Sequence, residues 1–323
     1  VNSVDKEKYL GDLISQDGKL DSNIEARVGK LIGVSALILN NLNELSLGSF
    51  YFQIALSLRK AIFLPVMLLN AETWVNVTQK NLDDLEMMDK NLLRSFLDAP
   101  SKTPIPALYL ELGCIPIKYL IIYKRLMYLH HILNLEENRL VQQVFSAQVT
   151  NPSKGDWCLQ VKEDLKEIGL DYLTFEDIKL LKKYKMRKII KEACSNTAFT
   201  YLIQKKGSKM ENLKYTKIQT KDYLLSEKLS IMVKKTLFKL RTRMAPVSAN
   251  FGDKEKECPE CFISPDNQQH LIDCVVIKCV NKSVLCNQAS TQYQDIFSEN
   301  LSRMKEAAKI YNSALKTRKA ILS

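Results

Sequence analysis

Thr78-Gln79-Lys80-Asn81-Leu82-Asp83-Asp84-Leu85-Glu86-Met87-Met88-Asp89-Lys90-Asn91-Leu92-Leu93-Arg94-Ser95-Phe96 admits two incompatible readings. Adjacent aspartates such as Asp83-Asp84 can hold the paired metal ions of a polymerase, but such aspartates sit on a strand-turn-strand. Here Leu82, Leu85, Met88 or Asp89, Leu92 and Phe96 recur at helical spacing behind Thr78, whose hydroxyl can accept a free first-turn N–H. The stretch is therefore read as a capped amphipathic helix. Acids in its first turn complement the helix dipole and need no metal to explain them.

The same period continues on both sides. Ser22 with Glu25 has capping-box spacing, and Ile24, Val28, Leu31 and Ile32 follow on one face, predicting a helix over 22–40. A second apolar helix runs from Ser49 to about Leu64 and should end near Pro65, which cannot continue the hydrogen-bond ladder. Before them, the strand signal Tyr9 to Ser15 precedes the turn dipeptide Asp17-Gly18, predicting a short β-hairpin. Pro104 and Pro106 mark a boundary. Helices are then expected at 107–112, 117–134, 156–168, 174–204 (capped by Thr174 with Asp177), 222–243 and 297–320, with breaks at Gly113, Pro116 and Asn151 to Gly155. The fold class is mainly α.

With 46% hydrophobic residues, 10 Gly and 9 Pro, the 323-residue chain has the composition of an ordinary globular protein. Its eight cysteines are scattered and follow no secretory signal, which points to a reducing compartment, nucleus or cytoplasm, and not to secretion. Val1 in place of an initiator Met suggests a truncated reading frame. The apolar stretches Ile54 to Leu69 and Ile115 to Leu133 are interrupted by Arg59, Lys60, Lys118, Lys124 and Arg125, so buried helices and no membrane association are expected.

Net charge is +11, and it is concentrated. Between Lys179 and Arg243 stand 19 Lys and Arg against four acids, a local net of +15, which leaves −4 for the rest. Such a region is a footprint for a polyanion: nucleic acid first, an anionic membrane surface second, with a merely solvated helical face as the bland alternative. The residues expected to meet phosphates are Lys179, Lys182, Lys183, Lys185, Arg187, Lys188, Lys191, Lys239, Arg241 and Arg243. Tyr184, Tyr201, Tyr215 and Phe238 are interleaved with these cations, but helical spacing should turn most of the rings inward.

Cys258-Pro259-Glu260-Cys261, then His270 and Cys274, read C-x2-C-x8-H-x3-C. Two cysteines two residues apart can aim both sulfurs at one ion, and residues at i and i+4 share a helical face, so Cys258, Cys261, His270 and Cys274 form a candidate structural zinc set with no open position. Ser264-Pro265-Asp266 supplies a helix start for the second pair. Cys279 is an alternative fourth ligand, and reduced cysteines in a small loop are the alternative to any metal. His130-His131 has no acid or cysteine at ligand spacing and reads as core or interface. Phosphate-loop, nucleophile-elbow and H-E-x-x-H motifs are absent, so an enzyme reading has little support.

Lys8-Tyr9-Leu10-Gly11 with Ile14-Ser15 and Asp17-Gly18-Lys19 resembles the hairpin that follows the catalytic palm in reverse transcriptases of non-LTR retrotransposons. Leu64-Pro65-Val66-Met67-Leu68-Leu69 running into Ala71-Glu72-Thr73-Trp74 is similar to that family's thumb signature, which more often has Tyr-Gly where this chain has Leu69-Asn70. Ala107 to Gly113 with Pro116-Ile117 and Leu129 to Leu133 resembles the post-thumb segment. Leu237 to Met244, leading to the cysteines, resembles the C-terminal region. The order of four motifs covers nearly the whole chain, although the cysteine cluster departs from the retroviral knuckle, whose Cys-to-His gap is four residues.

The resemblance implies a hairpin at 1–20 following the palm, a thumb-like helical bundle at 21–100, a helical post-thumb segment at 107–150, a basic helical region at 156–245, a zinc knuckle at 256–280 and a C-terminal helix at 297–320. It also implies RNA or DNA as partner, with an upstream palm where the element is intact. The family's catalytic aspartates precede the hairpin, so the expected function is non-catalytic binding of template, primer or target. The alternative is a helical protein-interaction scaffold with a structural zinc unit.

Overall fold

The computed structural model describes residues 5–9, 11–247, 250, 256–274, 293–298 and 300–322. It is mainly helical with a short antiparallel hairpin near the N-terminus. Strands β1 (Lys6–Tyr9) and β2 (Asp12–Ser15) pair Tyr9 with Asp12, so the chain reverses within the expected strand rather than at Asp17-Gly18. Gly11, at φ +92°, carries that reversal, and an L side chain rarely adopts such a φ. Asp17-Gly18 instead turns the chain towards α1 (Asp21–Glu44), with the Gly18 N–H donating to the Ser15 carbonyl. Because α1 starts at Asp21, Ser22 and Glu25 lie inside it rather than capping it.

The next helix runs from Gly48 through α2 (Tyr51–Leu58), a π-turn (Arg59–Phe63) and α3 (Leu64–Met67), and so passes the proline expected to stop it. The wider π-turn just before Pro65 accommodates its missing N–H. By length and composition this helix can cross a bilayer, yet Phe52, Ala55, Phe63 and Met67 are buried within the protein. Then come α4 (Gln79–Leu97), α5 (Ile105–Leu112), α6 (Ile117–Leu133), α7 (Leu140–Thr150), α8 (Trp157–Glu167), α9 (Phe175–Leu180), α10 (Lys183–Gln204), α11 (Asp222–Leu225), α12 (Ile231–Arg241), α13 (Gln268–Asp273) and α14 (Leu301–Leu322).

Two helices expected to be continuous are broken. Thr174 and Asp177 form their capping box, but α9 ends at Leu181, whose extended backbone presents its carbonyl 2.8 Å from Nε2 of buried His130. The span 222–243 divides at Ser226 and Ser230, and the Ser230 hydroxyl accepts the Val233 N–H as the cap of α12. α14 begins at Leu301 behind Asn300, whose side chain accepts from the Ser302 and Arg303 N–H groups.

The chain divides into two compact units, each built from three stretches of sequence. The first comprises 1–44, 56–92 and 114–204, and α6 is its central helix, packed by α7, α8, α9 and α10. Buried charges in it are paired. Arg59 makes a bidentate contact with Asp89 at 2.7 Å through both nitrogens, which explains both the cation in an apolar helix and the aspartate on the apolar face of α4. Arg27 pairs with Asp12 and donates to the Val66 carbonyl, and Asp12 also accepts from Asn23 and Asn70.

Arg125 donates to Asp164 at 2.6 Å, and both are buried. Burial pushes the Asp164 carboxyl up to about 6, against the pull of Arg125. Since that lies above the ordinary 3.8, the native state takes up the proton first, and Asp164 favours folding increasingly as pH falls from about 6 towards 3.8. Arg125→Met leaves a buried carboxylate uncompensated at pH 7, and a loss of about 3–5 kcal/mol is expected there. At pH 5 Asp164 is protonated and the loss should be smaller. Urea unfolding at both pH values checks this, and equal losses would contradict the upward shift of the Asp164 carboxyl.

The second unit comprises 45–55, 93–113 and 205–323, with α14 packed by α12 and α13. Behind α5, Gly113 sits at φ +65°, and a Cβ there would lie 2.1 Å from the Thr220 amide nitrogen. That close approach lets Thr220 donate its hydroxyl to the Leu112 carbonyl at 2.8 Å.

Candidate metal centre

Within the second unit, residues 256–266 fold back on themselves. Glu257 bridges Pro265, the Asp266 N–H donates to the Lys256 carbonyl, and the Cys258 N–H donates to the Ser264 carbonyl at 2.8 Å. Phe262, at φ +55°, closes the tip by donating its N–H to the Cys258 carbonyl at 2.9 Å. α13 follows with Asn267, not Ser264-Pro265-Asp266, as its cap: the Asn267 side chain accepts the His270 N–H at 2.8 Å, while Pro265 is taken up in the bridge. His270 lies in the helix, and Cys274 ends it one turn later.

The fold brings the four expected ligands together. One ligand atom from each of Cys258, Cys261, His270 and Cys274 lies within 4.8 Å of all the others, and the group can hold a metal ion. Cys258 Sγ is 3.9 Å from Cys274 Sγ, and Cys261 Sγ is 3.3 Å from His270 Nε2. Tetrahedral bonds of about 2.3 Å to sulfur and 2.0–2.1 Å to nitrogen require edges of roughly 3.8 and 3.5 Å, close to these separations. Cys279 lies outside the described residues.

What the spacing does not reveal is the support around the cluster. Arg318 of α14, buried, holds Asp266 through two nitrogens at 2.8 and 3.0 Å and Glu260 at 2.8 Å, and Glu260 Oε2 lies 2.7 Å from Cys258 Sγ. A single guanidinium thus ties both arms of the fold-back to the C-terminal helix. Burial, then Glu260, pushes the Cys258 thiol up to about 12, whereas the backbone N–H of Ile263 lowers Cys261. A bound cation deprotonates coordinating thiols outright.

The expected phosphate contacts fall in both units. Lys179, Lys182, Lys183, Lys185, Arg187, Lys188 and Lys191 are exposed in the first unit, and none pairs with an acid among the described residues. Arg187, Lys188 and Lys191 stand three, four and seven residues beyond Tyr184, on one face of α10. Tyr184 is itself 65% exposed, whereas Phe238 is buried, Tyr201 packs edge-on against Tyr119, and Tyr215 donates its hydroxyl to Glu111. Three of the four interleaved rings are therefore turned inward.

Arg241 is a correction. It is 7% exposed, bonded to Glu111 at 3.2 Å and to the Ile296 carbonyl at 3.0 Å, so it belongs to a core network of the second unit and offers no free charge to a phosphate. Lys239 pairs with Asp98 at 2.6 Å, and half-exposed Arg243 stands 4.0 Å from Glu211. Asp83 and Asp84 sit in the first turn and a half of α4, where Asn81 donates its N–H to the Thr78 hydroxyl and Asp83 accepts from Gln79. Comparison with protein-family models, curated proteins and solved structures finds no match for this chain.

Proposed function

We propose that this chain binds nucleic acid, chiefly through phosphates, and that the four-ligand group holds a structural zinc ion. The observation that carries the reading is the run of seven exposed cations at 179–191 with no acid partner among the described residues. Seven like charges left unpaired on one segment repel one another, and a polyanion relieves that repulsion while releasing its counterions. Three cysteines and an imidazole with their ligand atoms within 4.8 Å of one another suit zinc and leave no open position for hydrolysis.

The likeness to non-LTR reverse transcriptases gains support from the backbone and one contact of Asn70. Asn70, where that family more often has glycine, is left-handed at φ +55°, a conformation glycine adopts freely and asparagine tolerates. Its side chain donates to Asp12 in the hairpin at 2.6 Å, so two of the resembling motifs abut. We infer a thumb and post-thumb role, holding template, primer or target. A second reading, a protein-docking scaffold, is favoured by Phe262 and Ile263, 70% and 75% exposed at the tip of the fold-back. Salt-dependent binding to a single strand separates the two readings.

Asp83 and Asp84 lie on a helix, where neighbouring side chains diverge, so they are not placed as a metal-binding pair. This stretch by itself is expected to extend no primer on an RNA template with Mg²⁺ and dNTPs. Extension that disappears in Asp83→Asn, Asp84→Asn would overturn that expectation.

A further inference from the structure

α6 and α10 pack together within the first unit, and they line a groove of about 340 Å³. Tyr123, Met127, Tyr128 and His131 line it from α6, and Lys183 and Arg187 line it from α10. The α6 residues recur four, five and eight positions apart, so one strip of that helix forms the wall. Trp157 of α8 backs the wall edge-on to Tyr128, with centroids 5.7 Å apart, and is fixed by donating its indole N–H to the Glu72 carbonyl at 2.9 Å. His131 lies 6.0 Å from the Tyr128 ring, tilted by 32°.

Charge in the groove is one-sided. The acid that lines it, Glu72, is paired with Lys124 at 2.7 Å, which leaves Lys183 and Arg187 as its uncompensated charges among the described residues. Flat rings and a thioether flanked by free cations suit a flat π-system joined to an anion. A nucleotide of a single strand has that chemistry, whereas a duplex keeps its bases stacked on one another. The volume lies near the lower end of the roughly 300–1,000 Å³ range of ligand pockets, which suits one base rather than a stack. From Arg187 the cationic face of α10 continues through Lys188 to Lys191, a path for the flanking phosphates.

We propose that the groove between α6 and α10 takes one unpaired nucleobase, stacked on Tyr128, with its neighbouring phosphates held by Lys183 and Arg187. This rests on the reading of α10 as a phosphate-binding face and adds to it a preference for single strands. The test is fluorescence anisotropy of the full chain with a twelve-nucleotide thymidine strand, its RNA counterpart, an abasic strand with the same number of phosphates, and a duplex. The expected result is about tenfold tighter binding of both base-bearing strands than of the abasic one, with the duplex also weaker. Tyr128→Ala should abolish the difference and Tyr128→Phe should keep it, with the salt slope unchanged in both. Because the wild-type comparison needs no variant, a folding defect in Tyr128→Ala leaves it decisive. Equal, salt-sensitive binding of base-bearing and abasic strands overturns the groove and spares the phosphate reading. Binding of neither overturns both.

Discussion

Reversing Lys182, Lys183, Arg187 and Lys188 to Glu is expected to weaken single-strand binding by two to three orders of magnitude at 0.1 M salt. Each phosphate neutralised on a single strand contributes about 0.7 to the slope of log K against log salt, so each contact gains roughly fivefold between 1 M and 0.1 M salt. Four contacts then amount to roughly 600-fold, before any repulsion from the new carboxylates. The fold should survive, because these side chains are exposed, break no ion pair among the described residues, and lie at or near the start of α10, where acids complement the helix dipole. Circular dichroism monitors that, and anisotropy titrations compare the two proteins. Identical binding curves would remove this helix as the nucleic-acid face. The loss should be similar across unrelated sequences, since phosphates carry no sequence information.

Cys258→Ser with Cys261→Ser is expected to take zinc from one equivalent per chain to a small fraction of that, as two of four ligands are removed. Binding of structural zinc is coupled to folding, with apparent free energies of about 10–16 kcal/mol in small zinc units. Amides in 256–274 should therefore lose exchange protection in the double variant, whereas those of α10 should not. Cys274→Ser should also lose the ion and Cys279→Ser should keep it. Less than about half an equivalent in wild type, or unchanged zinc in the double variant, would contradict the assignment.

Several features set by neighbours in sequence were legible before the structure. Thr78 and Thr174 cap helices because a cap bonds within three residues, and the metal set is readable because its ligands span 258–274. Some local signals misled, since Asp17-Gly18 does not close the hairpin and Ser22-Glu25 does not cap α1, and other features escaped because they depend on partners far along the chain. Arg241 reads as a surface cation on a basic helix, but its partner Glu111 lies 130 residues away and draws it inward. Nothing in the sequence around Arg318 marks it, because its partners Asp266 and Glu260 lie far from it along the chain. Leu181 breaks a helix that local propensity would continue, where its carbonyl meets His130. The groove requires α6 and α10 to pack, and half of His130-His131, read together as core or interface, lines it instead.

Fluorescence anisotropy of the wild-type chain on a labelled single strand, titrated with salt, tests nucleic-acid binding through phosphates most directly. With about five to seven contacts at roughly 0.7 each, log K against log salt should fall on a straight line of slope about −3.5 to −5. No measurable binding at low salt, or binding with a slope near zero, would contradict a phosphate-held complex and leave the scaffold reading in its place.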